Sequence, residues 1–473
     1  MQFKMISSIS IIIILQSALS CSLPGQKEIK TEEPPIIKTE AEVALPSRQI
    51  IPDVSMKIDS TLSYSLYIPS AYSIRTKWPV LLMFDASARG ILPLNLYRET
   101  AERFGYILMC SNNSKNGNPV DFTKHIISSM IAEATSRYAV DTNRIYSAGF
   151  SGGGRVAALG AFMNPAIKGV IGIGAGFPGD QLPEHPFRFI GVAGKEDFNY
   201  KELSQLNEQL SVKNIPHLFF IYNGKHDWCP ADIIYKSLAL FNADAMRMKT
   251  LSVDTGLLHE INKTNASDVK HLKSEQRFIE AGMLLNYLLE CNKDLVETQN
   301  LKKEIVQLQQ SKTWQNQQQQ QHLLTIEEGD LSQKLMQSIG KPLNWWQEEV
   351  NKISMQINAS PGSEHTYMLK RVMAGIRVQC NGIAKQMLYN PEIEKANYIV
   401  TLYKIVEPDY KDPWYFSAVM NALGGNKDMC FNDLNRAIEK GFDDRNRLLN
   451  EPAFQSLQSE SAFASLLSKI PVR

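Results

Sequence analysis

Gly149-Phe150-Ser151-Gly152-Gly153 has the G-x-S-x-G spacing that a serine nucleophile needs at a tight turn between a strand and a helix. Residues 144–148 before it read as a short buried strand, and residues 154–162 after it as the start of a helix rich in small side chains. A turn this tight forces the serine into a strained backbone conformation, and glycines two residues to either side let the two elements approach closely. The turn lifts the hydroxyl clear of the sheet and aims the next amide, that of Gly152, at a developing oxyanion. A serine hydroxyl is a weak nucleophile until a base takes its proton and an acid orients that base. The chain offers both downstream: Asp197 in Gly194-Lys195-Glu196-Asp197, and His226 in Gly224-Lys225-His226-Asp227-Trp228. Without these partners the five-residue motif is a common accident, and Ser151 would be an ordinary glycine-rich helix start. No G-K-[ST] or G-x-G-x-x-G accompanies it to suggest phosphate binding.

The positioning elements follow from the hydrophobic pattern between about residues 50 and 248. Apolar runs at 62–68, 79–84, 106–110, 144–148, 169–173, 187–193 and 218–222 alternate with stretches of helical periodicity such as 122–138. Buried strands separated by helices predict an α/β fold with a doubly wound, mostly parallel sheet. Active sites of such sheets gather at the carboxyl ends of the strands. Asp197 and His226 each directly follow a late run, so both fall on the rim that carries Ser151. Of the eight histidines, only His226 directly follows a late core strand; His217 and His185 precede theirs. Glu196 stands beside Asp197 as a competing carboxylate. Trp228 reads as a packing residue beside the histidine and Cys229 as a small buried filler. Residues 174–186 and 198–215 read as loops that set specificity.

With the order Ser, Asp, His in place, residues 60–248 resemble the polyhydroxybutyrate-depolymerase-like and feruloyl-esterase-like branch of the α/β-hydrolases. The resemblance rests on the elbow serine, a G-x-x-D acid and a G-x-H-x-W histidine. It implies a catalytic triad of Ser151, Asp197 and His226 acting on an ester, with no metal or organic cofactor. Where that branch often has proline directly after the tryptophan, this chain has Cys229 and then Pro230. The usual His-Gly oxyanion motif after the third strand is replaced by Asp85-Ala86-Ser87, so the second oxyanion donor is expected to be a backbone amide at Ala86 or Ser87, beside that of Gly152.

The N-terminus has a secretory layout: Lys4, an apolar run through residues 11–15, then small residues. Ala18-Leu19-Ser20-Cys21 resembles a bacterial lipobox, although the commonest form carries leucine where Ala18 stands. This implies that residues 1–21 are a lipoprotein-type signal peptide with Cys21 as the lipidated residue, and that the protein is exported to the bacterial cell envelope on a membrane anchor. Residues 22–48, rich in Pro, Glu and Lys, read as a flexible tether, and 49–248 as the hydrolase domain. The other five cysteines are scattered with no C-x-x-C pair, which supports neither a zinc site nor a disulfide framework. Lys+Arg 50 against Asp+Glu 49 leaves a net charge of +1, which argues against a nucleic-acid partner.

Beyond residue 248 the composition turns to Leu, Lys, Gln and Glu. Residues 249–376 read as a helical region, with Leu301, Ile305, Leu308 and the following glutamine run forming one long polar helix or a short coiled segment. Trp345-Trp346 reads as the anchor of another helix. In 377–442 the chain carries a period of 34: Trp414, Gly425, Cys430, Leu434 and Ala437, with Ile383, Ala384, Ala396 and Pro408 in the preceding unit, fall at spacings that resemble the tetratricopeptide repeat, and 377–473 read as such repeats with a helical cap. An all-α repeat domain with a helical cap is expected there, able to bind a protein partner; a plain helical bundle is the simpler alternative.

The expected function is an exported serine hydrolase that cleaves a carboxylic ester, polymeric, glycan-linked or small, through an acyl-enzyme on Ser151. Two other readings stay open at this point. One is a catalytically inactive hydrolase scaffold whose helical repeats do the binding; the other is a serine peptidase with the same triad.

Overall fold

All seven apolar runs are strands, and an eighth precedes them, in the computed structural model, which describes residues 48–471 apart from 180 and 391. The strands are β1 (Ile50–Ser55), β2 (Ser63–Tyr67), β3 (Trp78–Asp85), β4 (Ile107–Ser111), β5 (Val140–Phe150), β6 (Ile167–Ile173), β7 (Arg188–Gly194) and β8 (His217–Tyr222). They form one sheet in the order β1-β2-β4-β3-β5-β6-β7-β8. β2 runs antiparallel to both its neighbours, β1 and β4, and the other neighbouring strands pair parallel. β1 escaped the hydrophobic pattern because Pro52 and Asp53 interrupt it. As an edge strand whose register slips between Ile51 and Val54, it tolerates the proline that a central strand would not.

Helices α1 (Ile91–Phe104), α2 (Val120–Arg137), α3 (Gly152–Met163), α4 (Tyr200–Val212) and α5 (Ala231–Arg247) connect the strands. The architecture is therefore the expected doubly wound, mostly parallel α/β sheet. Residues 198–215, expected as a loop, instead contain α4. Its buried Leu203, Leu206 and Leu210 recur at helical spacing within an otherwise polar stretch. The chain leaves β3 for β4 on one side and β5 on the other, so the sheet's switch point lies at the carboxyl ends of β3 and β5. The pairing of Asp85 with Phe150 sets those two ends level.

A large helical region follows: α6 (Thr255–Ser274), α7 (Phe278–Asn292), α8 (Gln299–Gln310), α9 (Lys312–Gln337), α10 (Leu343–Ala359), α11 (Glu364–Met387), α12 (Ile393–Val406), α13 (Lys411–Leu423), α14 (Lys427–Glu439), α15 (Arg445–Asn450) and α16 (Ser461–Ser468). The stretch expected as one polar helix or coiled segment is two helices, α8 and α9, broken at Ser311, whose side chain caps α9 by accepting from the Trp314 amide. The glutamine run is helical throughout, and Gln317 accepts from the Phe278 amide at 3.1 Å, capping α7.

The hydrophobic cores do not divide at residue 248. Leu257, Ile261 and Val269 of α6, Leu285 and Leu288 of α7, and Ile305 and Leu308 of α8 share one core with Leu81, Met83, Tyr146, Ala148 and Ile171 of the sheet. Alternate strand residues point to one face, and α1 and α5 to α8 bury it. A second core begins with Leu335 and Trp346 and runs to Ile470. Trp346 is fully buried and donates to the Ser338 carbonyl, whereas Trp345 lies against the amines of Lys341 and Lys334. Ala384, Ala396, Cys430, Leu434 and Ala437 are buried where the 34-residue spacing placed small or apolar side chains. The expected signal peptide, Cys21 and most of the tether lie outside the described residues.

Candidate active site

Ser151 sits between β5 and α3 with φ 56° and ψ −124°, a conformation that costs a non-glycine residue roughly 1–3 kcal/mol. Three backbone bonds hold it there: its amide donates to the Ile173 carbonyl at 2.8 Å, and its carbonyl accepts from Gly154 at 2.9 Å and from Arg155 at 3.4 Å. The flanking glycines are required by close approach. A Cβ on Gly149 would lie 2.1 Å from the Gly153 carbonyl oxygen, and one on Gly153 2.1 Å from that of Phe84. Both obstacles are backbone, so neither can swing aside. Gly153→Ala is expected to destabilise the fold by about 3–5 kcal/mol. Urea unfolding checks this, and an unchanged midpoint would mean that the elbow can open without cost.

The three candidate residues meet at the carboxyl rim. His226 Nε2 lies 2.9 Å from Ser151 Oγ, and His226 Nδ1 lies 2.8 Å from Asp197 Oδ1. With the Ser151 hydroxyl donating to Nε2, the ring proton sits on Nδ1 and donates to the carboxylate. The pairing of Gly194 with Tyr222 brings the ends of β7 and β8 side by side and so places the two loops together. Asp197 is 1% exposed, and its Oδ1 also accepts from the Asn199 amide at 2.8 Å. Its buried Oδ2 has no hydrogen-bond partner. Gly174, at φ 62°, closes over the pair: a Cβ there would stand 2.9 Å from both Asp197 Oδ2 and His226 Nδ1. Phe150 and Phe198 flank the imidazole, with ring centroids 4.7 and 4.2 Å away.

The loop after β3 is organised by Asp85, which is fully buried. Burial alone would raise its carboxyl. Hydrogen bonds from Arg89, from Trp228 Nε1 at 2.9 Å and from the Ser87 amide at 2.8 Å overcome this and hold it below the ordinary carboxylate value. Trp228 is thus a donor that ties the histidine loop to the loop after β3, besides packing on Tyr97 and Phe150. The Ser87 amide, one of the two expected oxyanion donors in this loop, is already given to Asp85 Oδ1. Ala86 accepts at its carbonyl from the Asn116 amide at 2.9 Å, and Ser87 bridges to Lys115. The Asn116 side chain lies against Gly152, where a Cβ would fall 1.8 Å from its Oδ1. Cys229 is buried, and burial pushes its thiol up to about 12, so it is neutral beside the histidine loop.

Several of these contacts carry no sequence signal of their own. Phe198 follows Asp197 directly, yet only the fold brings its ring to His226. Among the described residues, no group of three His, Cys, Asp or Glu side chains gathers to hold a metal ion. A cavity of about 710 Å³ is lined by Lys195, Tyr200, Glu280, Gln317 and Glu364 among others and contains none of the triad residues.

No protein-family model and no curated protein matches this chain. Solved structures with which it shares a structural likeness include an S-formylglutathione hydrolase from Staphylococcus aureus, at 13% identity and a TM-score of 0.34, covering 41% of this chain and 94% of that one. A thermostable esterase from Pseudomonas putida aligns at 14% identity and a TM-score of 0.32, over 40% of this chain and 80% of the other. A ferulic acid esterase aligns at 14% identity and a TM-score of 0.31, over 40% and 94% respectively.

Proposed function

We propose that this chain is an exported serine hydrolase that cleaves carboxylic esters. The observation that carries the reading is the continuous hydrogen-bonded relay from Ser151 Oγ through His226 to Asp197, set on a strained elbow. In the first half-reaction His226 Nε2 takes the Ser151 proton as Oγ attacks the ester carbonyl. The Gly152 amide receives the oxyanion, and we assign the second donor to the Ala86 amide, since that of Ser87 is engaged. The imidazolium, facing the Asp197 carboxylate, then protonates the departing alcohol. In the second half-reaction His226 deprotonates water, which releases the acid and restores Ser151. Cys21 as a lipid attachment point would hold the enzyme at the cell envelope on the tether of residues 22–48. The helical pairs α11–α12 and α13–α14, with their tetratricopeptide-like spacing, would offer a surface to a protein partner.

The test is turnover of p-nitrophenyl acetate and butyrate by the purified protein and by Ser151→Ala. The wild type is expected to hydrolyse both, and Ser151→Ala to lose at least about 10⁴-fold in kcat while remaining folded. A folded wild type with no turnover on any ester would favour the inactive scaffold instead.

A further inference from the structure

The two residues before Asp197 are held from outside the sheet. Arg371 of α11 donates through Nη1 to the Lys195 carbonyl at 2.8 Å, and its guanidinium carbon lies 4.4 Å from the centre of the Tyr200 ring. It therefore grips the chain two residues before Asp197 and three residues after it. Tyr200 in turn donates its amide to the Asp197 carbonyl at 2.9 Å. Arg371 itself is fixed by a bidentate pair with Glu328 of α9, and both side chains are buried. The neighbouring contacts repeat the pattern. The Lys195 amine reaches Glu280 of α7 at 3.0 Å and Glu364 of α11 at 2.8 Å, and Lys370 of α11 reaches Glu196 at 2.8 Å. On its other side the same turn is joined to the histidine loop, with the Lys195 amide on the Tyr222 carbonyl and the Glu196 amide on that of Gly224, both at 2.9 Å.

Breaking a buried charge pair leaves the remaining charge uncompensated, so separation of Arg371 from Glu328 is strongly disfavoured. That hold passes directly to a carbonyl two residues from the catalytic acid. A general base displaced by about 1 Å loses about two orders of magnitude in rate. We infer that Arg371 is a positioning residue for catalysis: through the Lys195 carbonyl and the Tyr200 ring, the helical region holds Asp197 in hydrogen-bonding register with His226. The inference rests on the serine-hydrolase reading above and assigns α9 and α11 a role at the site besides forming the second core.

Arg371→Met keeps the volume and removes the donors and the charge; Glu328→Gln keeps an acceptor for Arg371 and serves as the milder variant. Each is compared with wild type by kcat and KM on p-nitrophenyl acetate, by thermal unfolding, and by the downfield proton resonance of the His226 Nδ1–H, which His226→Gln identifies. Arg371→Met is expected to lower kcat by about tenfold or more with KM within about twofold, and to shift or broaden the Nδ1–H resonance, in protein still folded at the assay temperature. Glu328→Gln is expected to do the same to a smaller degree. A folded variant with unchanged kcat and an unchanged resonance would reduce these contacts to structural support and overturn the inference. Should Arg371→Met not fold, Glu328→Gln decides by the same two readouts. Loss of the serine-hydrolase reading looks different: the wild type is then inactive, and the resonance alone judges the positioning role.

Discussion

Replacement of His226 by alanine is expected to lower kcat by about 10⁵–10⁶-fold and to leave KM within a few-fold. The Ser151 hydroxyl makes one side-chain hydrogen bond among the described residues, the 2.9 Å contact to His226 Nε2. No other base is in place to take the proton. The imidazole also delivers the proton to the leaving alcohol and deprotonates the water, so its loss affects every proton transfer in both half-reactions. KM is spared because the imidazole acts on the proton transfers, its ring held between those of Phe150 and Phe198. For the same reason the Ser151→Ala,His226→Ala pair is expected to be no slower than either single variant, since the two residues act as one unit. Steady-state kinetics on p-nitrophenyl acetate check both statements. A His226→Ala enzyme within tenfold of wild type would remove His226 from the mechanism.

Asp197→Asn is expected to lower kcat by about 10³-fold. Oδ1 accepts from both His226 Nδ1 and the Asn199 amide, so in the variant the amide oxygen must occupy that position. The Nδ1–H tautomer then survives, in contrast to a site where the amide nitrogen faces the imidazole. What disappears is the negative charge opposite the imidazolium formed in the transition state, an effect of about 4 kcal/mol in a buried site. The NH₂ group moves to the Oδ2 position, which is buried and offers no partner, so some loss of stability accompanies the kinetic effect. Asp197→Ala is expected to be slower still. Comparison of kcat for the two variants, with thermal unfolding alongside, separates charge from orientation; equal kcat in Asn and Ala variants would show that the carboxylate's charge is all that matters.

The meeting of Ser151, Asp197 and His226 was legible in the sequence because each lies in a short glycine-containing segment directly after an apolar run, and strands buried on both faces of a parallel sheet read as continuous apolar runs. Parallel strands ending on one rim did the rest. Other parts were not legible for specific reasons. β1 was masked by Pro52, which an edge strand tolerates. α4 was masked because its three buried leucines are diluted by polar neighbours. The change in composition at residue 248 marks where strands stop, not where the core stops: α6 to α8 still bury a face of the sheet. Arg371 stands 176 residues from Lys195, and nothing local distinguishes it from Arg377, the half-buried arginine on the same helix. Likewise, the indole of Trp228 reaches Asp85 across 143 residues, a bond that exists only once the strand ends are level.

The most direct test of the account is labelling of the purified protein with a fluorophosphonate, followed by peptide mass mapping. The strained elbow and the relay predict one adduct, on Ser151, abolished in Ser151→Ala and slowed by orders of magnitude in His226→Ala. A folded protein that takes no label, or takes it elsewhere and equally in Ser151→Ala, would contradict the claim that Ser151 is the nucleophile of a working hydrolase.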